Sequence, residues 1–250
     1  MSQYLTGKYY CLTDKGKVRE INEDFASAVI NPFGNVLLVV ADGMGGENKG
    51  EVASSMLAKY VVSSFLGLED EFKNEKAMKK WLYKVVKEGN ESVYNKANSS
   101  IEFKGMGTTL SVALLVKNKL ATAQVGDSRV YLLVEKELVQ ISEDQTYVNY
   151  LIKSKGMPAE IAKTHPKRHE LTNAAGTKKQ VNVDINVREY HGESILVCSD
   201  GLYNNVSESD MASIIRGNDS IDKKANQLIA FGNFNGGSDN MALVLWESEY

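Results

Sequence analysis

The sequence predicts an α+β fold: a central antiparallel β-sandwich flanked by pairs of α-helices. Three observations lead there. Apolar runs of strand length come in blocks, as from Thr108 to Val134, where only Lys117-Asn118 and Gly126-Asp127-Ser128 interrupt them. Such close spacing favours antiparallel hairpins. Helical patterns come in pairs, and nowhere does the chain settle into the regular strand–helix alternation of a parallel sheet.

Taken in order, Tyr9 to Thr13 and Phe25 to Ile30 read as strands, the second closed by the turn Asn31-Pro32-Phe33-Gly34-Asn35. Val36 to Ala41 is a continuous apolar run that meets Asp42 and then Gly43-Met44-Gly45-Gly46. A short apolar run bounded by glycine reads as a buried strand, which puts the Asp42 carboxylate rigidly at a strand's mouth. The glycines clear the space in front of it and let a backbone carbonyl such as that of Gly43 turn toward what the carboxylate holds. The same letters also spell a common Asp-Gly turn. Gly50 to Leu66 carries Val52, Met56, Leu57, Tyr60, Val61 and Phe65 at helical spacing, and Lys76 to Ala97 repeats the pattern through Met78, Leu82, Val85, Val86 and Val93. Strands follow at Thr108 to Val116, Lys119 to Val125 and Arg129 to Val134. Glu143 to Lys155 reads as helix, Gly156 to Thr177 as a polar exposed excursion, and Val181 to Val187 as an alternating strand. Ser194 to Cys198 is a second apolar run leading to Asp200-Gly201. Ser207 to Ile215 and Ser220 to Phe231 read as helices, and Met241 to Trp246 as the last strand.

The 250 residues are enough for a substantial core, and three prolines, no low-complexity tract and no repeat predict one domain over 1–250. A net charge of −3 gives no reason to expect nucleic acid as a partner. Cys11 and Cys198 are far apart with no CxxC pair, which argues against a zinc or disulfide framework and fits a reducing compartment. Met1 to Cys11 has no apolar core of signal-peptide length, and no segment nears the roughly 20 apolar residues that span a bilayer. The expectation is a cytoplasmic protein that does not enter a membrane.

Asp24, Asp42, Asp127, Asp200 and Asp239 each lie at the edge of an apolar run, near Gly or Asn. If the sheets bring these edges together, the carboxylates need a compensating charge. Hard oxygen donors without a Cys or His cluster point to Mg²⁺ or Mn²⁺. His165, His169 and His191 are in no ligand spacing and read as surface residues. Two hard cations roughly 3.5–4 Å apart can activate a water for in-line displacement at phosphorus. Arg19, just before Asn22-Glu23-Asp24, supplies a guanidinium suited to gripping a phosphate.

With those residues in view, the chain resembles the metal-dependent type 2C protein Ser/Thr phosphatases in their compact bacterial form. The resemblance rests on six segments in the family's order: Arg19 to Asp24, Ala41 to Gly46, Gly105-Met106-Gly107-Thr108-Thr109, Val125-Gly126-Asp127-Ser128-Arg129, Ser199-Asp200-Gly201-Leu202 and Gly237-Ser238-Asp239-Asn240. It implies a four-layer αββα sandwich with two metal ions in a cleft at one end. Asp42, Asp200 and Asp239 would bind one ion, and Asp42 with the Gly43 carbonyl the other. Glu23 and Asp24 would ligate directly or orient bound waters. Asp127, with or without Asp200, would hold a weaker third ion, and Arg19 would bind the substrate phosphate. The nucleophile would be a metal-bridging hydroxide, so no phospho-enzyme is expected. The implied partners are phosphoproteins and an opposing Ser/Thr kinase, and the protein is expected to act as a monomer.

Three positions depart from or vary within the pattern. Met44 stands where many eukaryotic members place a histidine proposed as general acid. Asn204 is neutral where some members have Asp. Asn173, in Leu171-Thr172-Asn173-Ala174-Ala175-Gly176, replaces a usual Arg. The stretch 144–176 would be the mobile flap beside the cleft, with a basic tip of Lys163, His165, Lys167, Arg168 and His169 that could steer anionic phosphopeptides. A phosphoprotein-binding module without catalysis and a small-molecule metal phosphoesterase are the alternative readings of the same residues.

Overall fold

The computed structural model describes residues 5–45 and 49–249, with Lys163 by its backbone alone. The expectations for Met1 to Tyr4, for Gly46 and for the Lys163 side chain therefore lie outside the described residues. One sheet joins β1 (Gly7–Asp14), β11 (Met241–Ser248), β10 (Ile195–Cys198), β7 (Arg129–Val134) and β8 (Glu137–Gln140) in that order. The other joins β2 (Asp24–Ile30), β3 (Val36–Met44), β5 (Leu110–Val116), β6 (Lys119–Val125) and β9 (Asp184–Glu189), with the two-residue β4 (Gly107–Thr108) on the end of β3. The strand pairings are antiparallel.

Strand β3 shows why its sequence is apolar without alternation. Val36, Leu38 and Val40 face the other sheet, meeting Val130, Val197, Val244 and Trp246 in the sandwich interior. Leu37, Val39 and Ala41 face the opposite way, against Leu57, Val61, Phe65 and Leu82 of the first helix pair, α1 (Gly50–Leu66) and α2 (Glu75–Ala97). Both faces are dry, so both parities must be apolar. The outer face of the first sheet, with Leu196, Cys198 and Leu243, is covered by Met211, Ile215 and Leu228 from the second pair. These helices are α6 (Glu208–Arg216) and α7 (Ile221–Phe234). Three apolar seams thus join four layers, helices, sheet, sheet, helices, as expected.

Several details differ from the sequence reading. The strand through Asp42 does not stop there; it continues to Met44, because Gly43 and Met44 pair with β4. The helix expected from Glu143 begins at Tyr147, capped by the Thr146 hydroxyl that accepts the Asn149 amide at 3.3 Å. That helix is α3 (Tyr147–Lys155), and a further short helix, α4 (Ala159–Lys163), lies within the polar exposed excursion. The strand expected from Val181 starts at Asp184, since Asn182 is engaged by Asn173. The two Asp-Gly pairs that look alike in sequence are built differently. Asp42 is inside a strand, whereas Asp200 opens a four-residue helix, α5 (Asp200–Tyr203).

Candidate active site

Five loops and strand ends meet at one end of the sandwich. Arg19, Glu23, Asp42, Gly43, Asp127, Asp200 and Asp239 line a single cleft of about 220 Å³, together with Met44, Thr109, His169, Leu171 and Asn240. Asp24, the remaining predicted ligand, is not on that wall. It is the cross-strand neighbour of Asp42, and its Oδ2 accepts the Ser199 hydroxyl at 2.6 Å. It therefore stands behind Asp42, buried, and acts on the cleft through it. Directly opposed like charges destabilise a strand pair unless something offsets them.

The electrostatics record that tension. Burial, and then the charges of Asp24, Asp200, Asp127 and Asp239, push the Asp42 carboxyl well above the usual carboxylate range. Burial also raises Asp24 to about 7, against the favourable Ser199 hydrogen bond and with Asp200 and Asp239 adding to the rise. Asp127 is pushed to about 8 by burial and by Asp200 and Asp144. Asp200 is raised by burial and Asp239. Asp42 stands close enough to Asp24 and Asp200 to bear on the carboxyl of each. Glu23 too is raised by burial, although its Oε1 accepts the Gly50 amide at 3.0 Å at the start of α1.

The backbone that carries these groups is fixed by residues the chemical reading had passed over. Thr109 accepts the Asp42 amide at 2.9 Å through its hydroxyl and donates its own amide to the Asp42 carbonyl at 2.8 Å. Ser199 accepts the Ala242 amide at 2.8 Å while donating to Asp24. Asn240 holds the loop that bears Arg19 and Glu23. Its Nδ2 donates to the carbonyls of Lys15 at 2.9 Å and Ile21 at 2.8 Å, and its Oδ1 accepts the Glu23 amide at 2.9 Å. The signal for these residues was their place inside the quoted motifs, Ser199 and Asn240 directly beside an aspartate. Gly43 is required by close approach rather than by a special backbone angle, for a Cβ there would sit 2.3 Å from the Gly50 carbonyl oxygen.

Gly201 is tighter still, with a Cβ meeting the Asn240 carbonyl oxygen at 1.9 Å. Gly201→Ala must therefore push α5 away from Asp239-Asn240, and we expect a loss of about 3 kcal/mol in stability. Urea unfolding measures it; a midpoint equal to that of the parent chain would show that the two segments are not pressed together.

Arg19 Nη2 lies 2.7 Å from Asp239 Oδ2, in a pair that is roughly half exposed. Such an ion pair is weak in water and is easily exchanged for another anion. Asn204 turns its amide to Asp200, donating from Nδ2 to Oδ2 at 3.2 Å. Met44 lines the cleft and has no proton to give. His169, grouped with the surface histidines in the sequence reading, is exposed but stands on the cleft rim, near enough to ease the Asp200 carboxyl slightly downward against its burial. The basic tip is partly neutralised, since Lys167 pairs with Glu170 at 2.9 Å. Beyond the rim a larger groove of about 730 Å³ runs between the excursion and the sandwich, sharing Asp127 and His169 with the cleft. The chemistry belongs to the smaller space, where the carboxylates converge. Among the described residues no three or more Asp, Glu, His or Cys side chains stand arranged to hold an ion as they are; Asp239 is turned to Arg19. The donor set nevertheless fits a hard divalent cation. It is all oxygen, partly buried, and carries more negative charge than it can keep ionised alone.

A β-sandwich between helix pairs with an acidic cleft at one end defines a class of proteins, and the comparisons agree on which. The chain belongs to the Protein phosphatase 2C family, whose profile matches residues 15–217. It is 36% identical over 242 residues to the serine/threonine phosphatase stp of Listeria welshimeri, covering 94% of this chain and 93% of that one. Its structure resembles that of serine/threonine phosphatase Stp1 from Staphylococcus aureus with a TM-score of 0.91 at 31% identity, over all of this chain and 98% of the other. It also resembles the catalytic domain of the serine/threonine protein phosphatase PstP, solved in complex with two manganese ions, with a TM-score of 0.83 at 30% identity over 98% and 100% of the two chains.

Proposed function

We propose that this chain is a protein serine/threonine phosphatase dependent on Mn²⁺ or Mg²⁺, with 1–250 acting as one catalytic domain and 144–176 as its flap. The observation that carries the reading is the convergence of Asp42, Asp127, Asp200, Asp239 and Glu23 on one cleft with a guanidinium at its edge. Family membership and relatives named as serine/threonine phosphatases support it. Asp42, Asp200 and Asp239 would hold one cation, Asp42 and the Gly43 carbonyl a second, and Asp127 a weaker third. Glu23 and Asp24 would act at one remove, Glu23 from the N-terminal end of α1 and Asp24 by fixing Asp42. Bound there, the cations supply charge that activates a water for attack on phosphorus and offsets the charge of the phosphate oxygens. Arg19 leaves Asp239 for the substrate phosphate, which frees the carboxylate for its ligand role at the same moment. The proton for the departing serine or threonine oxygen must come from a group other than Met44. An acidic cleft that shares Asp127 and His169 with a larger groove suits a phosphorylated side chain on a polypeptide better than a small metabolite sealed in an apolar pocket. An opposing Ser/Thr kinase, a cytoplasmic location and action as a monomer complete the proposal. In keeping with that location, no helix among the described residues is long and apolar enough to cross a membrane.

The test is release of phosphate from matched phosphothreonine and phosphotyrosine peptides, with Mn²⁺ and with excess chelator. Metal-dependent hydrolysis favouring phosphothreonine is expected. Phosphopeptide binding without turnover would replace the enzyme by a binding module. In the same assay Arg19→Ala is expected to raise KM by about tenfold, the worth of one charge-assisted phosphate contact. An unchanged KM would place the phosphate elsewhere.

A further inference from the structure

We infer that Gln145 and Asn173 are positioning residues that clip both ends of the 144–176 excursion to the turn carrying Asp127, so that excursion and carboxylate are placed together. The inference rests on the phosphatase reading only for its kinetic readout.

The excursion leaves the sandwich at Asp144-Gln145 and returns at Thr172-Asn173, where Thr146 and Leu171 form an isolated bridge. Gln145 engages the turn through both of the Gly126 backbone groups. Its amide donates to the Gly126 carbonyl at 2.9 Å, and its Oε1 accepts the Gly126 amide at 2.9 Å. The same Oε1 accepts Asn173 Nδ2 at 2.6 Å, and the Gln145 carbonyl accepts both the amide and the hydroxyl of Thr172, at 2.9 and 2.8 Å. Asn173 uses its other lone pairs and proton on the returning chain. Nδ2 also donates to the Asn182 carbonyl at 2.8 Å, and Oδ1 accepts the Asn182 amide at 3.3 Å.

The orientation of both amides is forced, because flipping Gln145 would set its NH₂ against two donors at once. Asp127 follows Gly126 directly, and its own carbonyl accepts the Tyr203 hydroxyl at 3.0 Å. A second tie runs in parallel. Arg129 grips Asp144 through Nε and Nη2, the latter at 2.7 Å, and its guanidinium lies 3.7 Å above the Tyr203 ring. Asn173 was noted in the sequence for lacking a usual arginine. Its short amide serves here because Gln145 reaches it.

Two variants test this. Gln145→Met keeps size and removes every side-chain hydrogen bond. Asn173→Asp is isosteric, keeps the acceptor for Asn182, and sets an oxygen against Gln145 Oε1; if Gln145 turns to donate to it, Gly126 loses its acceptor. Each variant is expected to lower kcat about tenfold with KM changed less than about threefold, since a displaced Asp127 acts on chemistry rather than on capture. The fall should be the same for p-nitrophenyl phosphate, which needs only the cleft, as for a phosphothreonine peptide. The double variant should be no worse than either single one, because both break one unit. Trypsin cleavage between Lys153 and Arg168 should speed up about fivefold in both, as expected of a locally loosened segment. Additive losses, an unchanged kcat for p-nitrophenyl phosphate, or unchanged cleavage would overturn the inference. If the parent chain hydrolyses neither substrate, the phosphatase reading fails, and the cleavage rates alone decide this one.

Discussion

Replacing Asp200 by asparagine is expected to cut hydrolysis of a phosphothreonine peptide by about a thousandfold, at the upper end of what one electrostatic contact at a reacting centre supplies. The metal-free protein should fold at least as well as its parent. Asp200 is half-buried between Asp42 and Asp239, and loss of solvent around it holds its carboxyl above the usual range. A neutral amide of the same shape removes a charge that nothing offsets in chelator, while an oxygen remains to accept from Asn204. Loss of function with no loss of stability separates a ligand from a structural residue. The pair of measurements is single-turnover hydrolysis with saturating Mn²⁺ and the thermal midpoint in chelator. Activity within about tenfold of the parent would remove Asp200 from the reacting centre.

The second large effect concerns pH. In chelator, the protein is expected to grow more stable as pH falls from about 8 toward 5, the reverse of common acid denaturation. Asp24 and Asp127 have folded-state values of about 7 and about 8, both above the 3.8 of an ordinary aspartate. Between those limits the folded chain binds more protons than the unfolded one, so stability declines as pH rises through the window. With two groups shifted this far, the midpoint should differ by about 5 °C or more between pH 5 and pH 8. Saturating Mn²⁺ should flatten the slope, because a cation then does what the protons did. Calorimetry at three pH values, with and without the metal, reads it directly. A midpoint that climbs steadily with pH in chelator would mean that the carboxylates are not crowded as described.

Much of the architecture was written locally. The helix over 50–66 and the strands over 119–125 and 129–134 have the bounds their patterns predicted, because period and flanking turns operate within a few residues. What escaped were short elements. Strand β8 has four residues and α4 has five, too few for a period to emerge, and α4 follows Pro158 in a stretch dominated by polar side chains. The candidate site divides in the same way. An aspartate at the end of an apolar run can be seen in the sequence, but whether it faces the cleft cannot. Asp24 and Asp42 look equivalent until the register places them side by side and Ser199, 175 residues away, claims Asp24. His169 looked like one of three surface histidines, and only the path of the excursion puts it on the rim.

The sequence by itself determined the α+β class, the buried strand through Asp42, the oxygen-only donor set and the family, since each depends on residue types and spacings along the chain. Tertiary structure alone decided that Asp24 stands behind the cleft, that Arg19 rests on Asp239, that Asn240 holds the Arg19 loop, and that Gln145 ties the excursion to the Asp127 turn. These are contacts across 19 to 220 residues. Hydrogen bonds and charges act over a few ångströms of space, and the chain's local pattern carries no record of which distant segment will supply the partner.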